Sequence, residues 1–168
     1  FLHRTHEDRR FQASKNAVKR LLAFEKKSSY KPILVEEPFE IKVGDVTLSG
    51  RFDRVDQRKG RGIIIDYKST EVDDQDIADK KARDSHQLTI YAMAYRERFG
   101  ELPESTQLHF VDTGLIGSAE KPEKDIAKGE KLIARVAEGI RAQNFTPTPS
   151  SFKCGMCDYR GACPDRAG

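Results

Sequence analysis

The 168-residue sequence lacks the features of a membrane protein or of a disulfide-stabilised secreted protein. No apolar run approaches the roughly 18 to 20 residues that a membrane-spanning helix needs, and no cysteine occurs before Cys154. Phe1 opens the chain without the basic, apolar and small-residue order of a signal peptide. We therefore expect a soluble cytoplasmic protein with no membrane partner, and one domain over residues 1–168 that belongs to a longer polypeptide.

A large excess of charge of one sign is also absent, because the formal net charge is only +3. A net charge of this size is too small to identify a nucleic-acid partner, but the charged residues are unevenly distributed along the chain. Residues 1–31 hold nine Lys or Arg against three acids, and a polyanion would sense this local excess. A solvated helix face and a phosphate-contacting surface both explain it.

The spacing of apolar residues predicts an α/β fold. Three-to-four spacing indicates helices, alternation indicates strands, and glycine-containing turns separate them. The predicted helices cover residues 9–27, 76–99 and 122–143, and the predicted strands cover 33–43, 46–56, 61–68 and 106–112. The first three strands should form an antiparallel meander, and residues 146–150 should be extended because of their prolines. This order favours a mixed sheet flanked by helices.

Two aspartates and a lysine fall in neighbouring predicted strands. Asp53 lies in the second strand, while Asp66 and Lys68 follow an apolar run of three isoleucines in the third. Residues two apart in a strand point to the same face, so Asp66 and Lys68 share one side of the sheet. Pairing through the hairpin can bring Asp53 beside Asp66. We therefore expect two carboxylates and one ammonium on a single sheet surface.

That combination suits the hydrolysis of phosphodiesters with Mg²⁺ or Mn²⁺. Carboxylate oxygens are hard ligands for these ions, and a bound ion neutralises phosphate charge and activates water. Lys68 would orient the attacking water, stabilise developing charge or help to deprotonate the nucleophile, and the sequence does not separate these roles. The alternative is that Asp66 and Lys68 form a solvent-facing pair on an ordinary strand.

Several segments resemble, in their order and spacing, the RecB-type branch of the PD-(D/E)XK nuclease superfamily. Similarity is closest to nuclease domains at the C-terminus of UvrD-like helicases, and it extends from about Leu34 to Pro164. The resemblance implies a restriction-endonuclease-like core over residues 33–143 and a cysteine-rich metal-binding segment over 144–168. The segments that carry it are Glu36-Glu37-Pro38-Phe39, Gly50-Arg51-Phe52-Asp53-Arg54-Val55-Asp56, Asp66-Tyr67-Lys68, Gln87-Leu88-Thr89-Ile90-Tyr91 and the closing cysteines.

The resemblance also implies roles for individual acids and for the lysine. Asp53 and Asp66 would be metal ligands, and Lys68 would be the catalytic lysine. Glu36 matches the acid that precedes the first core strand and often completes the metal site, with Glu37 as the competing candidate. A surface glutamate before proline is the alternative interpretation of Glu36.

A helix motif of the family matches Gln87 and Tyr91. Residues four apart lie on one face of a helix, so both side chains could approach the lysine or a DNA phosphate. On spacing alone, Tyr91 would be interpreted as a core residue.

The histidines depart from the family pattern. Many members carry an active-site histidine on an N-terminal helix, and only His3 and His6 precede the first predicted strand. Neither lies in a convincing motif, and His3 is a weak candidate. We expect His86 and His109 to be ordinary polar or partly buried residues.

Three cysteines, Cys154, Cys157 and Cys163, all lie within the last 15 residues. Their odd number and close spacing are typical of metal ligation in a reducing compartment, and Gly155 and Gly161 allow the tight turns that ligation needs. The family pattern adds an upstream cysteine, and the four cysteines hold a [4Fe-4S] cluster. This chain has no upstream cysteine, so we expect the cluster in the full-length protein, with its first cysteine before Phe1. Zinc with a histidine or acid as the fourth ligand, or a vacant site, are alternatives. In each case we expect a structural site.

The resulting expectation is a DNA nuclease that uses Mg²⁺ or Mn²⁺ in DNA repair or recombination. The resemblance adds exonuclease action on single strands and a helicase motor in the same or an associated polypeptide. One alternative is a catalytically inactive, nuclease-like DNA-binding module. Another is a zinc-stabilised interaction domain whose acids are surface residues.

Overall fold

A five-stranded mixed sheet forms the centre of the protein. The structure, a computed structural model, describes residues 4–167. In chain order the elements are α1 (Arg4–Lys27), β1 (Lys31–Val43), β2 (Val46–Arg58), β3 (Arg61–Lys68), α2 (Gln75–Asp84), α3 (His86–Phe99), β4 (Ser105–Phe110), β5 (Ile116–Ala119), α4 (Glu123–Arg141) and α5 (Ser151–Gly155). The strand order is β1-β2-β3-β4-β5, and only the β3–β4 pair is parallel. The predicted α/β class and the antiparallel β1–β3 meander are confirmed.

The main core lies between one face of the sheet and α3. Strand residues such as Val55, Ile64 and Leu108 form one buried cluster with Leu88 and Tyr95 of α3. Most of α3 is buried because α4 covers its outer side. No helix among residues 4–167 is long and apolar enough to cross a membrane.

The prediction of one helix over residues 76–99 is wrong, because α2 ends at Asp84 and α3 begins at His86. Ser85 between them has extended backbone, and its hydroxyl accepts a hydrogen bond from Leu88 N, which caps α3. Lys121 Nζ donates to the main-chain oxygens of Arg83 at 2.7 Å and Ser85 at 3.2 Å. The helical spacing of apolar residues continues across a one-residue break, so periodicity alone cannot detect it.

Other boundaries differ from prediction at short or polar segments. Helix α1 begins at Arg4, five residues before the predicted start at residue 9, and β4 ends two residues early, at Phe110. Strand β5 was not predicted, since four residues are too few to show an alternating pattern. Helix α5, in the cysteine segment, was also missed.

The unpredicted strand β5 holds α2 in place. An added Cβ at Gly117 would lie 2.1 Å from Ala78 O, so the helix backbone rests directly on the strand. Asp79 Oδ1 accepts a hydrogen bond from Ser118 N at 2.8 Å, and Gln75 Nε2 donates to Ile116 O at 2.8 Å. Helix α2 is therefore fixed at a close distance that only glycine permits.

A buried ion-pair network attaches α1 to the opposite face of the sheet. Arg54, 8% exposed, donates to both carboxylate oxygens of Asp56 and to both oxygens of Glu25 in α1, and contacts Tyr67 Oη at 3.3 Å. Hydrogen bonding to Asp56 raises the pKa of Arg54 above its ordinary value. Removing one member of such a network leaves an uncompensated buried charge. The network therefore determines where α1 docks.

His109 lies in the same layer, stacked edge-on against Phe24 of α1 and Tyr67 of β3. Burial, and to a smaller extent the positive charge of Arg54, lowers the pKa of His109 to about 4. The folded protein therefore holds this histidine in its neutral form.

We predict that Gly117→Ala destabilises the protein by about 1–3 kcal/mol, because the methyl group overlaps Ala78 O and must displace α2. The matched control is Gly139→Ala in α4, where nothing lies within 4 Å of an added Cβ. That substitution should raise the free energy of unfolding by about 0.5–1 kcal/mol through helix propensity. Urea unfolding measures both, and equal effects would contradict the close α2–β5 contact.

We also predict that acid destabilises the protein through His109. The unfolded chain binds a proton near pH 6.5 while the folded chain resists it down to about pH 4, so stability is lost as the pH falls through this window. Between about pH 7.5 and about pH 5 the loss should be about 2 kcal/mol. Urea unfolding at both pH values should show a smaller loss for His109→Gln. The control His86→Gln, at an exposed position, should keep the wild-type dependence, and an unchanged dependence in His109→Gln would refute the assignment.

Candidate active site

Asp66 is a buried carboxylate near the end of β3. It is 1% exposed, and its Oδ2 atom lies 2.6 Å from Lys68 Nζ. That oxygen has no hydrogen-bond partner of ordinary geometry in the part of the chain that the structure describes. Burial raises the pKa of Asp66, Lys68 opposes this effect, and the charge of Asp53 adds to it. The carboxylate thus has a short contact to one cation and an incompletely satisfied oxygen.

Asp53 adjoins Asp66 at the end of the β2–β3 ladder. The last paired residues are Arg54 and Ile65, and just beyond them Asp53 Oδ2 accepts a hydrogen bond from Tyr67 N at 3.0 Å. The half-buried Asp53 side chain therefore binds the strand at the residue that follows Asp66. Two negative charges are therefore close together here, and a nearby cation would stabilise both of them.

Lys68 connects the carboxylates with α3. Its Nζ atom donates to Gln87 Oε1 at 2.8 Å while contacting Asp66 Oδ2, and its side chain is 33% exposed. The ammonium therefore lies at the boundary between the buried acid and solvent, with donor capacity left for a third acceptor.

Gln87 and Tyr91 extend this chain of contacts along one face of α3. Gln87 Nε2 donates to Tyr91 Oη at 2.9 Å, so its amide is held at both ends. Burial is the main cause that raises the pKa of Tyr91, and the negative charges of Asp66, Asp53 and Glu36 raise it further. Tyr91 therefore lies within the electrostatic reach of all three acids.

Glu36 lies opposite Asp53 at an irregular point of the β1–β2 ladder. The paired residues Val35–Arg54 and Glu37–Phe52 flank this position, and Glu36 has a φ of +50°. A left-handed conformation is uncommon for glutamate and redirects its side chain relative to strict alternation. Glu36 is exposed, and its carboxylate lies 3.9 Å from the guanidinium of Arg51.

Glu37, the competing candidate, has a different partner. Its Oε1 accepts a hydrogen bond from Arg98 at 2.9 Å near the end of α3. Of the two glutamates, only Glu36 contributes to the raised pKa of Tyr91. Glu36 is therefore a better candidate than Glu37 for the third acidic residue of the metal site.

The residues fit a hard divalent cation. Among residues 4–167 no three Asp, Glu, His or Cys side chains converge in a metal-binding group, so a third protein ligand is not in place. Mg²⁺ nevertheless retains several waters and often takes only one or two carboxylates. The buried, unsatisfied Asp66 Oδ2 and its neighbour Asp53 provide such a pair.

The three cysteines do not form a comparable group. Cys154 and Cys163 are half-buried, Cys157 is exposed, and all three are free thiols. Cys154 Sγ accepts a hydrogen bond from Ala167 N at 3.4 Å. Within the described residues they lack metal-binding convergence, so the predicted [4Fe-4S] or zinc site gains no support from the structure.

None of the described histidines takes part in the contacts given above for the acids, Lys68, Gln87 and Tyr91. His3 falls outside the described residues, His6 is exposed on α1, and His86 is exposed at the start of α3. His109 is 5% exposed and packs in the α1 layer, as expected for a buried polar residue.

Sequence reasoning missed the residues that position this site. The main-chain N of Tyr67 holds Asp53, and the break at Ser85 sets where Gln87 enters the site. Ser85 could have been found, because a serine before an apolar helical run is an N-cap signal. No sequence signal identifies Lys121, which reaches the break from beyond β5.

The mixed five-stranded sheet flanked by helices is consistent with the restriction-endonuclease-like fold of PD-(D/E)XK nucleases. The family model described as the PD-(D/E)XK nuclease superfamily matches residues 3–164, and the chain belongs to this superfamily. Its members generally use Mg²⁺ or Mn²⁺. The crystal structure of SSO0001 is similar with a TM-score of 0.54 and 20% identity, covering 90% of this chain and 68% of that chain, which supports the fold alone. No match was found among the curated proteins.

We predict that Asp66→Asn abolishes stabilisation by Mn²⁺. At a metal concentration of about 100 times Kd, the wild-type free energy of unfolding should rise by about 2.7 kcal/mol, whereas the variant should not respond. Without metal, Asp66→Asn should be at least as stable as wild type near neutral pH, because the raised pKa of Asp66 means that folding disfavours its charge.

Thermal unfolding with and without Mn²⁺ checks both expectations. The exposed acid Asp8 on α1 supplies the control Asp8→Asn, which should respond to Mn²⁺ as the wild type does. A full Mn²⁺ response in Asp66→Asn would contradict the assigned ligand.

Proposed function

We propose that this protein is a DNA nuclease that hydrolyses phosphodiesters with Mg²⁺ or Mn²⁺. The observation that carries the proposal is the buried carboxylate of Asp66, whose Oδ2 contacts Lys68 Nζ at 2.6 Å and whose pKa is raised by burial and by the charge of Asp53. A buried carboxylate with a second carboxylate beside it is costly unless a cation compensates. A divalent ion would remove that cost and provide the chemistry of the family.

Asp53 and Asp66 would hold the ion, and Glu36 is the third candidate ligand. When bound, the ion would neutralise charge on the scissile phosphate and lower the pKa of a coordinated water. Glu36 is exposed and lies opposite Asp53 across the ladder. Its side chain is therefore free to turn toward an ion that the two aspartates bind.

Lys68 is assigned as the cation that binds the scissile phosphate. Its Nζ atom contacts the Asp66 carboxylate at 2.6 Å and donates to the amide oxygen of Gln87 at 2.8 Å, and an ammonium has one further N–H donor for a phosphate oxygen. One-third exposure leaves the ammonium accessible to a phosphate oxygen. We therefore favour stabilisation of developing negative charge over proton abstraction.

Gln87 and Tyr91 act as positioning residues for Lys68. The amide of Gln87 is fixed between Lys68 and Tyr91, so the lysine cannot move without breaking the hydrogen bond to Gln87 Oε1. Restricting the ammonium in this way reduces the reorganisation needed when the phosphate arrives.

The finer features of the function come from the RecB-type resemblance. We propose exonuclease action on single-stranded DNA in repair or recombination, with a UvrD-like helicase motor in the same or an associated polypeptide. Residues 1–168 would act as one nuclease domain, with the core over 33–143 and the cysteine segment over 144–168. In the full-length protein Cys154, Cys157 and Cys163 would hold a [4Fe-4S] cluster with a fourth ligand outside this chain, or zinc as the alternative.

A second candidate function is DNA binding without cleavage. The observation in its favour is that residues 4–167 contain no converged group of three metal ligands. In that case the acids would retain no metal and the lysines would serve only to bind the strand.

A nuclease assay of the full-length gene product discriminates between the two functions. With Mg²⁺ or Mn²⁺, Asp66→Ala and Lys68→Ala should each reduce the cleavage rate by about a hundredfold or more, because the first removes a ligand of the ion and the second removes a positive charge at the phosphate. The controls Asp8→Ala and Lys42→Ala, at exposed positions on α1 and β1, should cleave at the wild-type rate. Equal activity in all variants would reject the proposed centre, and DNA binding without any cleavage would support the second candidate.

A further inference from the structure

A second surface adjoins Lys68 on α2. Ile77, Lys80, Lys81 and Asp84 occur at helical spacings of three and four, so they share one face of the helix. Together with Lys68 they line a shallow depression of about 520 Å³. We call these four residues the α2 face. It therefore extends the candidate active site laterally along the protein surface.

The charges of the α2 face leave one lysine without an acidic partner. Lys80 Nζ pairs with Asp84 at 2.5 Å, which neutralises both. Lys81 has no salt bridge within the described residues, and it is exposed. An uncompensated ammonium in a depression next to Lys68 is suited to a second phosphate.

Ile77 adds an apolar contact to this basic surface. Its side chain is 48% exposed and lies one helical turn from Lys81. In a duplex the flat faces of the bases are stacked and only their edges reach the grooves. A single strand exposes those faces, so an apolar side chain beside lysines gains contact with an unstacked base.

The α2 face is held in place before any ligand binds. On the reverse side of the helix, Ala78 and Ala82 are fully buried, and Ala78 O rests against Gly117 of β5. The side chain of Asp74 caps the first turn by accepting from Ile77 N at 2.9 Å. A rigid surface loses little conformational freedom on binding.

We propose that the α2 face binds the segment of a single-stranded polynucleotide that adjoins the scissile phosphate. Lys81 contacts a neighbouring phosphate, and Ile77 contacts the face of an unstacked base. This inference rests on the proposed function, because it identifies the scissile phosphate with the one that Lys68 binds. It assigns substrate binding to residues outside the acid–lysine centre.

The test is a binding measurement in a metal chelator, so that no cleavage occurs. Fluorescence anisotropy would follow a labelled oligothymidylate and a blunt duplex binding to the 168-residue chain. Lys81→Ala should weaken binding of the oligothymidylate about fivefold and reduce the slope of log affinity against log salt by about 0.7, the value for one phosphate contact on a single strand. Ile77→Ala should weaken oligothymidylate binding about threefold, leaving the salt slope and the duplex affinity unchanged.

Lys42→Ala is the matched control, since Lys42 is an exposed lysine at the far end of β1. It should change oligothymidylate affinity by less than about twofold. Wild-type affinity in Lys81→Ala, an equal loss for both DNA forms in Ile77→Ala, or no binding by the unsubstituted chain would each overturn the inference. Failure of the proposed function has a different signature, because it is the absence of cleavage with Mg²⁺ or Mn²⁺ and does not depend on this chelated binding measurement.

Discussion

The placement of the Asp66 charge is the constraint on which the site depends. An ionised carboxylate that is 1% exposed requires compensation, and here it comes partly from Lys68 at 2.6 Å. Asp53 works against that compensation, since its charge raises the pKa of Asp66 further. The folded protein therefore carries an electrostatic cost that a bound divalent ion would relieve. Such a cost at a binding site is expected where function, rather than stability, selects the residues.

Both faces of the sheet contribute to this arrangement. On one side α3 supplies Gln87 and Tyr91, which hold the lysine. On the other side Arg54 joins Glu25 of α1 to the strands and contacts Tyr67, whose main-chain N binds Asp53. The segment that carries the acids is thus fixed from both directions. The open end of the β2–β3 hairpin, where these two strands stop pairing, can therefore still present side chains in a defined geometry.

The break between α2 and α3 links the site to the remainder of the fold. Lys121, 3% exposed, binds two carbonyl oxygens at the break, while Gly117 lets β5 approach α2 closely. These contacts position Gln87 on one side of the break and the α2 face on the other. The acid–lysine centre and the surface proposed to bind the adjoining strand are therefore parts of one rigid unit.

The sequence by itself determined the sheet meander, the main helices and the pairing of Asp66 with Lys68 on one face, because these follow from local periodicity of two and of 3.6 residues. It also predicted that Asp53 lies beside Asp66, since the short turn between β2 and β3 limits how the two strands can pair. Tertiary structure alone decided the contact of Lys121 with the break at Ser85, the strand β5 and the partners of Glu36 and Glu37. Those features depend on Lys121, Gly117 and Arg98, which act across long sequence separations, and no local pattern records a contact between residues so far apart in the chain.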